Sequence, residues 1–434
     1  MTAPAHQLIL GSFPALESWL SDELAARLRG SAPVPRLLVY TGAGLAGKQL
    51  DLRLEAMGID PRRAHRRTPR GFVGEFLRDL SLPASVPVGG VDALVREVAH
   101  AAPAGSYFTP VLDRLGLRDA LARGFDDLAL GGFLDADTCA TALSATAREL
   151  GDDPAKLTAL AALYRAYRAA LAGRYTDAAA RLDAAIERVQ SGAARVPERV
   201  YIHGALDLNE LEQRLIAALA ARTPVTLLLP DDGTAAGRRL VPLRAFAVAL
   251  GCAVSVAAER GIAGGRLARV RAGWLAPDGI AAETDPTDRT FAIVAAPSEA
   301  REVREAVREV VRAIEDGVPA GAIALLFRDG RSYLPLVHET LAAAGVSHYL
   351  PAGLPLSGTS VGRAALLLLR LAASERRRAD VIELFLTAPL RWGTLLPGAD
   401  GVDERRHAPA AWERLTRDAG VTAGTEIWLS LIHI

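Results

Sequence analysis

The sequence predicts an α/β fold built on parallel sheets and interrupted by helical insertions. Short apolar runs with the length of buried strands alternate with amphipathic helices, whereas residues 71–195 show only helical patterns. Because the alternation resumes after that block, four runs are expected to share one mainly parallel sheet: 7–10, 36–40, 199–203 and 224–229. Two further runs, 290–296 and 323–327, are expected to begin a second sheet.

Composition narrows the functional classes. The chain has 434 residues, enough for two to four domains, and its formal net charge is zero, so no global basic field indicates nucleic acid. Cys139 and Cys252 form no metal-binding or disulfide pattern. The sequence has no signal-peptide pattern, and its longest apolar stretches are too short to span a bilayer. We therefore expect a cytoplasmic protein without membrane contact.

The stretch from Thr290 to Leu356 reads as one strand–helix–strand–helix unit. Ser298 is a suitable N-cap for a helix over 299–316, whose apolar positions have helical spacing and whose end is marked by Gly317. Arg328 follows the run 323–327. Ligands of parallel sheets bind outside the carboxyl ends of strands, so Arg328 is placed either to contact an anion or to pair with a carboxylate.

Several residues of this stretch carry a family resemblance; the matching positions are Glu299-Ala300, 323–328, Tyr333, Leu341, Gly345-Val346, Tyr349 and Pro355-Leu356. The stretch resembles the start of the second motor domain of UvrD/Rep-type helicases. It is more closely similar to AddB/RecC-like subunits of bacterial helicase–nuclease complexes, a PD-(D/E)XK nuclease family. In the active helicases, an arginine at the place of Arg328 contacts the terminal phosphate of the nucleotide.

The resemblance implies RecA-like motor domains of a degenerate P-loop NTPase fold. The first motor domain would comprise 1–70 and 196–256, with a helical insertion at 71–195. The expected later segments are a linker at 257–288, the start of the second motor domain at 289–360, the start of a second helical insertion at 361–428, and a tail at 429–434. That tail, LSLIHI, looks like translated sequencing adapter, so the reading frame is expected to be cut.

One candidate nucleotide site follows the second predicted strand. Gly42, Gly47 and Lys48 fit G-x-x-x-x-G-K, although Gln49 replaces the Ser or Thr that would hold Mg²⁺. The match is either a phosphate loop or a glycine-rich turn that enters a helix. In active helicases the strand at 199–203 ends in Asp-Glu, but this chain has His203 and Gly204 there. The resemblance therefore implies an inactive ATPase site.

The densest basic cluster lies at 62–70 and comprises Arg62, Arg63, Arg66, Arg67, Thr68 and Arg70. At the equivalent place the helicases carry a Thr-rich motif that contacts single-stranded DNA. Guanidinium and hydroxyl groups suit phosphate contacts, which position a strand without reading its sequence. The alternative is a solvated basic loop.

The resemblance implies a fragment of a helicase–nuclease subunit in double-strand break repair and recombination, which channels DNA beside an AddA/RecB-like partner. ATP and Mg²⁺ would be ligands of the full complex, and an iron–sulfur cluster is expected only if a further C-terminal part carries it. No catalytic or metal-ligating residue is assigned. Two alternatives stay open: an active DNA-dependent ATPase or helicase using Gly42–Lys48, and a non-catalytic α/β interaction module.

Overall fold

The structure is a computed structural model that divides into two compact units, Met1–Phe291 and Ala292–Ile434. It describes residues 6–29, 36–42, 44–87, 89–102, 105–112, 114–151, 153–231, 233–258, 266–274, 279, 287–350, 353, 356–389 and 409–430. Some predicted features lie outside these described residues. They are much of the linker at 257–288, Pro355 among the positions that carry the family resemblance, and residues 431–434 of the tail.

The first unit contains a six-stranded sheet in which every strand pair is parallel. The strands are β1 Gln7–Leu10, β2 Leu37–Thr41, β3 Ala64–Arg67, β4 Arg199–His203, β5 Val225–Leu229 and β6 Ala253–Val256. Their spatial order is β3-β2-β4-β5-β1-β6. The four strands expected from the sequence share this sheet, so that prediction is confirmed, as is the α/β class. The sequence did not predict β3 and β6, which form the two edges.

Helices connect these strands and cover the sheet. Within the described part of the first unit they are α1 Phe13–Leu28, α2 Gly44–Ala56, α3 Pro69–Phe76, α4 Gly90–His100, α5 Leu115–Leu130, α6 Ala136–Leu150, α7 Pro154–Leu171, α8 Ala178–Gln190, α9 Glu210–Ala220, α10 Val241–Ala249 and α11 Arg266–Gly273. In neither unit does a described helix combine the length and the apolar character that crossing a membrane requires.

The sheet separates two apolar cores because successive side chains of a strand point to opposite faces. Leu8 and Leu10 of β1 lie in the core formed with α3, α8, α9 and α10, whereas Ile9 between them lies in the core formed with α1 and α2. The same alternation places Tyr201 of β4 in the α1 and α2 core. Burial on both faces explains why the central strands are continuous apolar runs in the sequence.

The order of the strands explains which helices cover which face. From β1 to β3 the chain moves toward one edge of the sheet, and α1 and α2 lie on one face. From β3 to β6 it moves back toward the other edge, and the helices that pack on the sheet lie on the opposite face. This reversal is what right-handed crossovers require. The fold is therefore a doubly wound α/β sheet.

Helices α4 to α7 form an apolar core of their own. Phe125 of α5 packs against the rings of Tyr164 and Tyr167 of α7, which are almost completely buried. The Tyr164 hydroxyl donates a hydrogen bond of 2.6 Å to the Phe133 carbonyl. These tyrosines therefore serve packing. At the base of the cluster, Ser85 and Thr176 pair in an isolated parallel bridge.

The described elements of the second unit are helical. The α-helices are α12 Glu299–Glu315, α13 Gly330–Ala343, α14 Ser360–Ala373, α15 Arg378–Thr387, α16 Pro409–Asp418 and α17 Thr425–Ser430. Valines of α12 pack against Val337 and Leu341 of α13. The predicted limits of α12 are confirmed, since the Ser298 side chain accepts a hydrogen bond from the Arg301 amide and Gly317 has a positive φ of 90°.

The prediction of a second sheet is wrong for the described residues. Neither 290–296 nor 323–327 forms a strand. Ile293 and Leu326 are 84% and 93% exposed, so these apolar runs do not line a sheet core. A strand exists only when its backbone pairs with a neighbour, and neither run pairs within the part of the chain that the structure describes.

Candidate functional site

The carboxyl edge of the parallel sheet is where a ligand is expected, and there the ends of β2 and β4 are in direct backbone contact. The Gly42 amide donates a 3.0 Å hydrogen bond to the His203 carbonyl. A Cβ atom at Gly42 would lie 2.1 Å from the Gly204 carbonyl oxygen, and Gly204 has a φ of +73°. The two glycines thus allow the strand ends to approach closely, and no phosphate fits between them.

The second glycine of the apparent phosphate loop also has a packing role. Helix α2 begins at Gly44, so Gly47 and Lys48 lie inside the helix rather than in a loop. A Cβ atom at Gly47 would lie 2.4 Å from Nη1 of Arg66 on β3 and 3.3 Å from Oγ1 of Thr41. Lys48 and Gln49 are exposed. Glycine at 47 is therefore explained by the guanidinium that packs over it.

His203 is buried at the end of β4, where its ring lies 5.0 Å from the ring of Phe13. Burial lowers the pKa of His203 to about 4, so the imidazole is neutral at pH 7. Its buried Nδ1 atom has no hydrogen-bond partner among the described residues. The side chain contributes a nitrogen atom and no charge to this edge.

These residues do not fit a bound magnesium nucleotide. Mg²⁺ requires oxygen ligands, whereas His203 offers nitrogen, Gly204 has no side chain, and Gln49 stands where a hydroxyl is needed. The Gly42 amide, which would have to face a phosphate, already donates to His203. More widely, no group of three or more His, Cys, Asp or Glu side chains within the described ranges could hold a metal ion.

The basic segment at 62–70 is not a loop, which corrects the prediction. Pro61–Arg63 is a turn of 3₁₀ helix, Ala64–Arg67 is the edge strand β3, and α3 begins after its N-cap Thr68. Ala64 is buried and β3 pairs in parallel with β2, which fixes the directions of the arginines. The four-residue run AHRR has no apolar pattern because an edge strand is half solvated.

Arg62, Arg66 and Arg67 of this segment are paired with carboxylates. Arg62 pairs with Asp60 at 3.0 Å, and Arg67 donates to Glu75 at 2.5 Å. Arg66 forms a two-point contact with Asp51 of α2, with 2.5 Å between its Nε and Oδ1. Sequence reasoning missed the three acids; Asp51 and Glu75 lie on the helices that flank β3, 15 and eight residues from their partners.

The remaining members of the segment are Arg63, Thr68 and Arg70. Thr68 and Arg70 are exposed, and neither side chain has a hydrogen bond or ion pair within the described part of the chain. Arg63 is half-buried. The predicted phosphate contacts therefore cannot all be equivalent, because pairing already engages Arg62, Arg66 and Arg67.

Glu75 is the acid around which several arginines gather. Its side chain is buried and accepts contacts from Arg67 at 2.5 Å, Arg78 at 2.8 Å and Arg36 at 3.4 Å. Burial raises the pKa of Glu75, but hydrogen bonds and charge from Arg67 and Arg78 outweigh burial and hold that pKa below its ordinary value. One signal could have revealed it: Glu75 is the only acid in the apolar helix that follows the basic segment.

Arg328 lies in the second unit. It is exposed, and the segment before it forms no strand, so its predicted position at the carboxyl end of a strand is wrong. Its neighbour Asp329 accepts a hydrogen bond from Ser332 at 2.5 Å.

No protein-family model matches the chain, and no similar curated protein was found.

Proposed function

We propose that this chain is a DNA-binding subunit of the AddB/RecC-like type, with a RecA-like α/β domain that does not hydrolyse ATP. Such a subunit would hold single-stranded DNA by its backbone beside an AddA/RecB-like motor partner during double-strand break repair. The proposal rests on the family resemblance of the sequence, and one structural observation carries its ATPase half: Gly42 is hydrogen-bonded to His203 where a nucleotide phosphate would need space.

The alternative of an active ATPase requires Lys48 to act from a phosphate loop. The geometry disfavours it, because both glycines of the motif are explained by contacts within the fold and Lys48 belongs to α2. The DNA half of the proposal is supported by the arginines around β3, where the carboxylates paired with them are fewer than the guanidiniums. The third alternative, a non-catalytic interaction module, would lack this polyanion affinity.

Phosphate release from ATP tests the first half. The parent chain and Lys48→Ala are expected to give the same background rate, with or without single-stranded DNA and Mg²⁺. Turnover that depends on DNA and disappears in Lys48→Ala would instead establish the active-motor alternative.

Fluorescence anisotropy with a labelled oligothymidine tests the second half. The parent chain is expected to bind at low salt, with a logarithmic salt slope of roughly −0.7 per phosphate neutralised. Absence of binding at low salt would overturn the proposed DNA role and leave the interaction-module alternative.

A further inference from the structure

A cleft of about 630 Å³ opens at the end of the sheet opposite to the carboxyl edge. It lies where β2, β3 and β4 begin and where α3 and α8 end. We call it the arginine cleft, because it is lined by Arg36, Arg62, Arg63, Arg78, Arg188 and Arg195. Four of these residues lie outside the basic segment that the sequence singled out.

The charges that line the arginine cleft do not balance. Six arginines and two carboxylates, Glu75 and Asp79, line the cleft, and one of the six, Arg62, pairs with Asp60 outside this lining. Glu75 is also shared, since it contacts Arg67 in addition to Arg36 and Arg78. A polyanion that entered the cleft would therefore meet guanidinium groups whose charge is only partly compensated.

Arg188 shows this imbalance most clearly. It is half-buried in the last turn of α8 and donates to three backbone carbonyls, those of Phe76 at 2.9 Å, Ala193 at 3.2 Å and Arg78 at 3.3 Å. No carboxylate pairs with it within the described residues. The carbonyls fix the guanidinium in place without cancelling its charge, so this positive group is held in position before any ligand arrives.

Arg195 is an exposed member of the set that no other side chain engages within the described residues. Its side chain is exposed and has no partner in the described part of the chain, whereas its carbonyl accepts a 3.1 Å hydrogen bond from Arg36. Arg36 also reaches Glu75. The backbone that carries Arg195 is thus tied to the cleft while its guanidinium faces solvent.

The opposite side of β3 differs in charge. A second depression, of about 570 Å³, lies between β3 and α2, and its arginines Arg62, Arg66 and Arg67 are matched in number by Asp51, Glu55 and Asp60. Arg62 lines both depressions. Without it, this depression has two arginines and three carboxylates, whereas the arginine cleft has five arginines and two carboxylates. The excess of arginines around β3 therefore lies on the α3 and α8 side, away from the Arg66–Asp51 pair.

We propose that the arginine cleft binds the sugar–phosphate backbone of single-stranded DNA, and that Arg195, Arg188 and Arg78 contact its phosphates. This inference rests on the proposed DNA-binding function and moves its contact from Arg66 and Arg67 to the amino end of the sheet. Guanidinium forks match phosphate oxygens in pairs and read no base, so binding is independent of sequence.

Anisotropy titrations with the labelled oligothymidine test the assignment through Arg195→Glu. This variant is expected to bind about tenfold more weakly than the parent, as loss of a charged hydrogen bond implies. Its salt slope should become shallower by roughly 0.7. Arg148→Glu on α6 is the matched control, because it makes the same charge change at an exposed arginine outside the cleft. It should change the affinity by less than about twofold.

The double variant Asp51→Ala/Arg66→Ala removes the balanced pair on the other side of β3 and is expected to keep the parent affinity. Circular dichroism and urea midpoints that match the parent establish that each variant is folded. If the parent binds but Arg195→Glu behaves like Arg148→Glu, the cleft assignment fails while the proposed function stands. If the parent itself does not bind, both fail.

Competition with inorganic tripolyphosphate distinguishes a DNA backbone from a small anion. Tripolyphosphate is expected to displace the oligothymidine only at concentrations well above those at which the oligothymidine saturates the protein. If tripolyphosphate binds as tightly as the oligothymidine and Arg195→Glu weakens both equally, the cleft is a small-anion pocket and the backbone assignment is overturned.

Discussion

The guanidinium of Arg66 packs over Gly47, so closely that a methyl group at position 47 would lie 2.4 Å from Nη1. One residue belongs to the predicted DNA contact and the other to the predicted phosphate loop. Asp51, one turn further along α2, accepts the same guanidinium. The two motifs that sequence reasoning treated as separate sites are therefore halves of one packing contact between β3 and α2.

This contact predicts that Gly47→Ala and Arg66→Ala are coupled. In the parent, the methyl group of Gly47→Ala displaces Arg66 from Asp51, which loses about 1 kcal/mol and offsets the gain of about 1 kcal/mol from alanine in a helix. In an Arg66→Ala background only the gain remains, so the same change should stabilise. Urea unfolding of the parent, both single variants and the double variant measures the coupling. Equal effects of Gly47→Ala in both backgrounds would contradict the contact.

Gly42→Ala is expected to destabilise the first unit by about 2–3 kcal/mol, because the new methyl group would meet the Gly204 carbonyl, which is backbone and cannot rotate away. Gly124→Ala in α5 is the control, since nothing lies within 4 Å of a Cβ atom there. It should stabilise by up to about 1 kcal/mol. Thermal unfolding compares the two; a tolerated Gly42→Ala would show that the strand ends are not in contact.

His203 predicts a dependence of stability on pH. Its folded pKa of about 4 lies below the ordinary value of 6.5, so the unfolded chain binds more protons between these pH values. Proton uptake by His203 in the unfolded chain therefore lowers the unfolding free energy as pH falls from 6.5 to 4, by roughly 3 kcal/mol over the full window.

The variant His203→Phe removes that titration and keeps a ring beside Phe13. The unfolding free energy of His203→Phe minus that of the parent should increase as pH falls from 7 to 4.5. Measuring the difference between the two proteins cancels the contributions of His6 and His65, whose pKa values burial also lowers. A difference that stays constant with pH would mean that His203 does not titrate in this window.

Glu75 and Glu17 are two buried glutamates whose substitutions can be compared to test the effect of a buried charge on stability. Arginines hold the pKa of Glu75 below its ordinary value, whereas burial raises the pKa of Glu17 more than its partner Arg53 lowers it. Folding thus favours the charged form of Glu75 and disfavours that of Glu17. We expect Glu75→Gln to cost about 3 kcal/mol and Glu17→Gln to be nearly neutral, as measured by urea unfolding at pH 7. Similar losses in both variants would contradict this assignment.

The central strands could be predicted from sequence because burial on both faces makes them continuous apolar runs. The edges were not predicted: β3 reads AHRR and has no apolar run, whereas β6 reads AVSV, is exposed along its whole length and is not set off from the apolar residues before it. The reverse error occurred at 323–327, an apolar run that pairs with no strand in the described part of the chain and forms no strand itself. Hydrophobic pattern predicts what a segment can bury, but a strand also requires a neighbour.

The candidate sites were harder to predict for a different reason. The arginines could be located in the sequence. The net charge of their surroundings also depends on Asp51 and Glu75, which lie on the flanking helices and form ion pairs with them in the fold. Arg188 and Arg195 line the cleft although they lie at least 110 positions after Arg78 and Arg63 along the chain. The sequence does not reveal such a site, because its residues come together only where the chain re-enters the sheet at β4 after the helical region.

The bridge between Ser85 and Thr176 makes the helical region detachable in principle. The Thr176 amide donates to Ala84, the Val86 amide donates to Thr176, and the Thr176 hydroxyl donates to Pro83, so the entry and exit of α4–α7 meet at one place. Most buried side chains of α4–α7 lie in a core of their own, and Ala129 of α5 is their buried contribution to the core on the sheet among the described residues. We therefore expect that a short peptide joining the two bridge segments in place of α4–α7 would leave the register of the sheet strands unchanged.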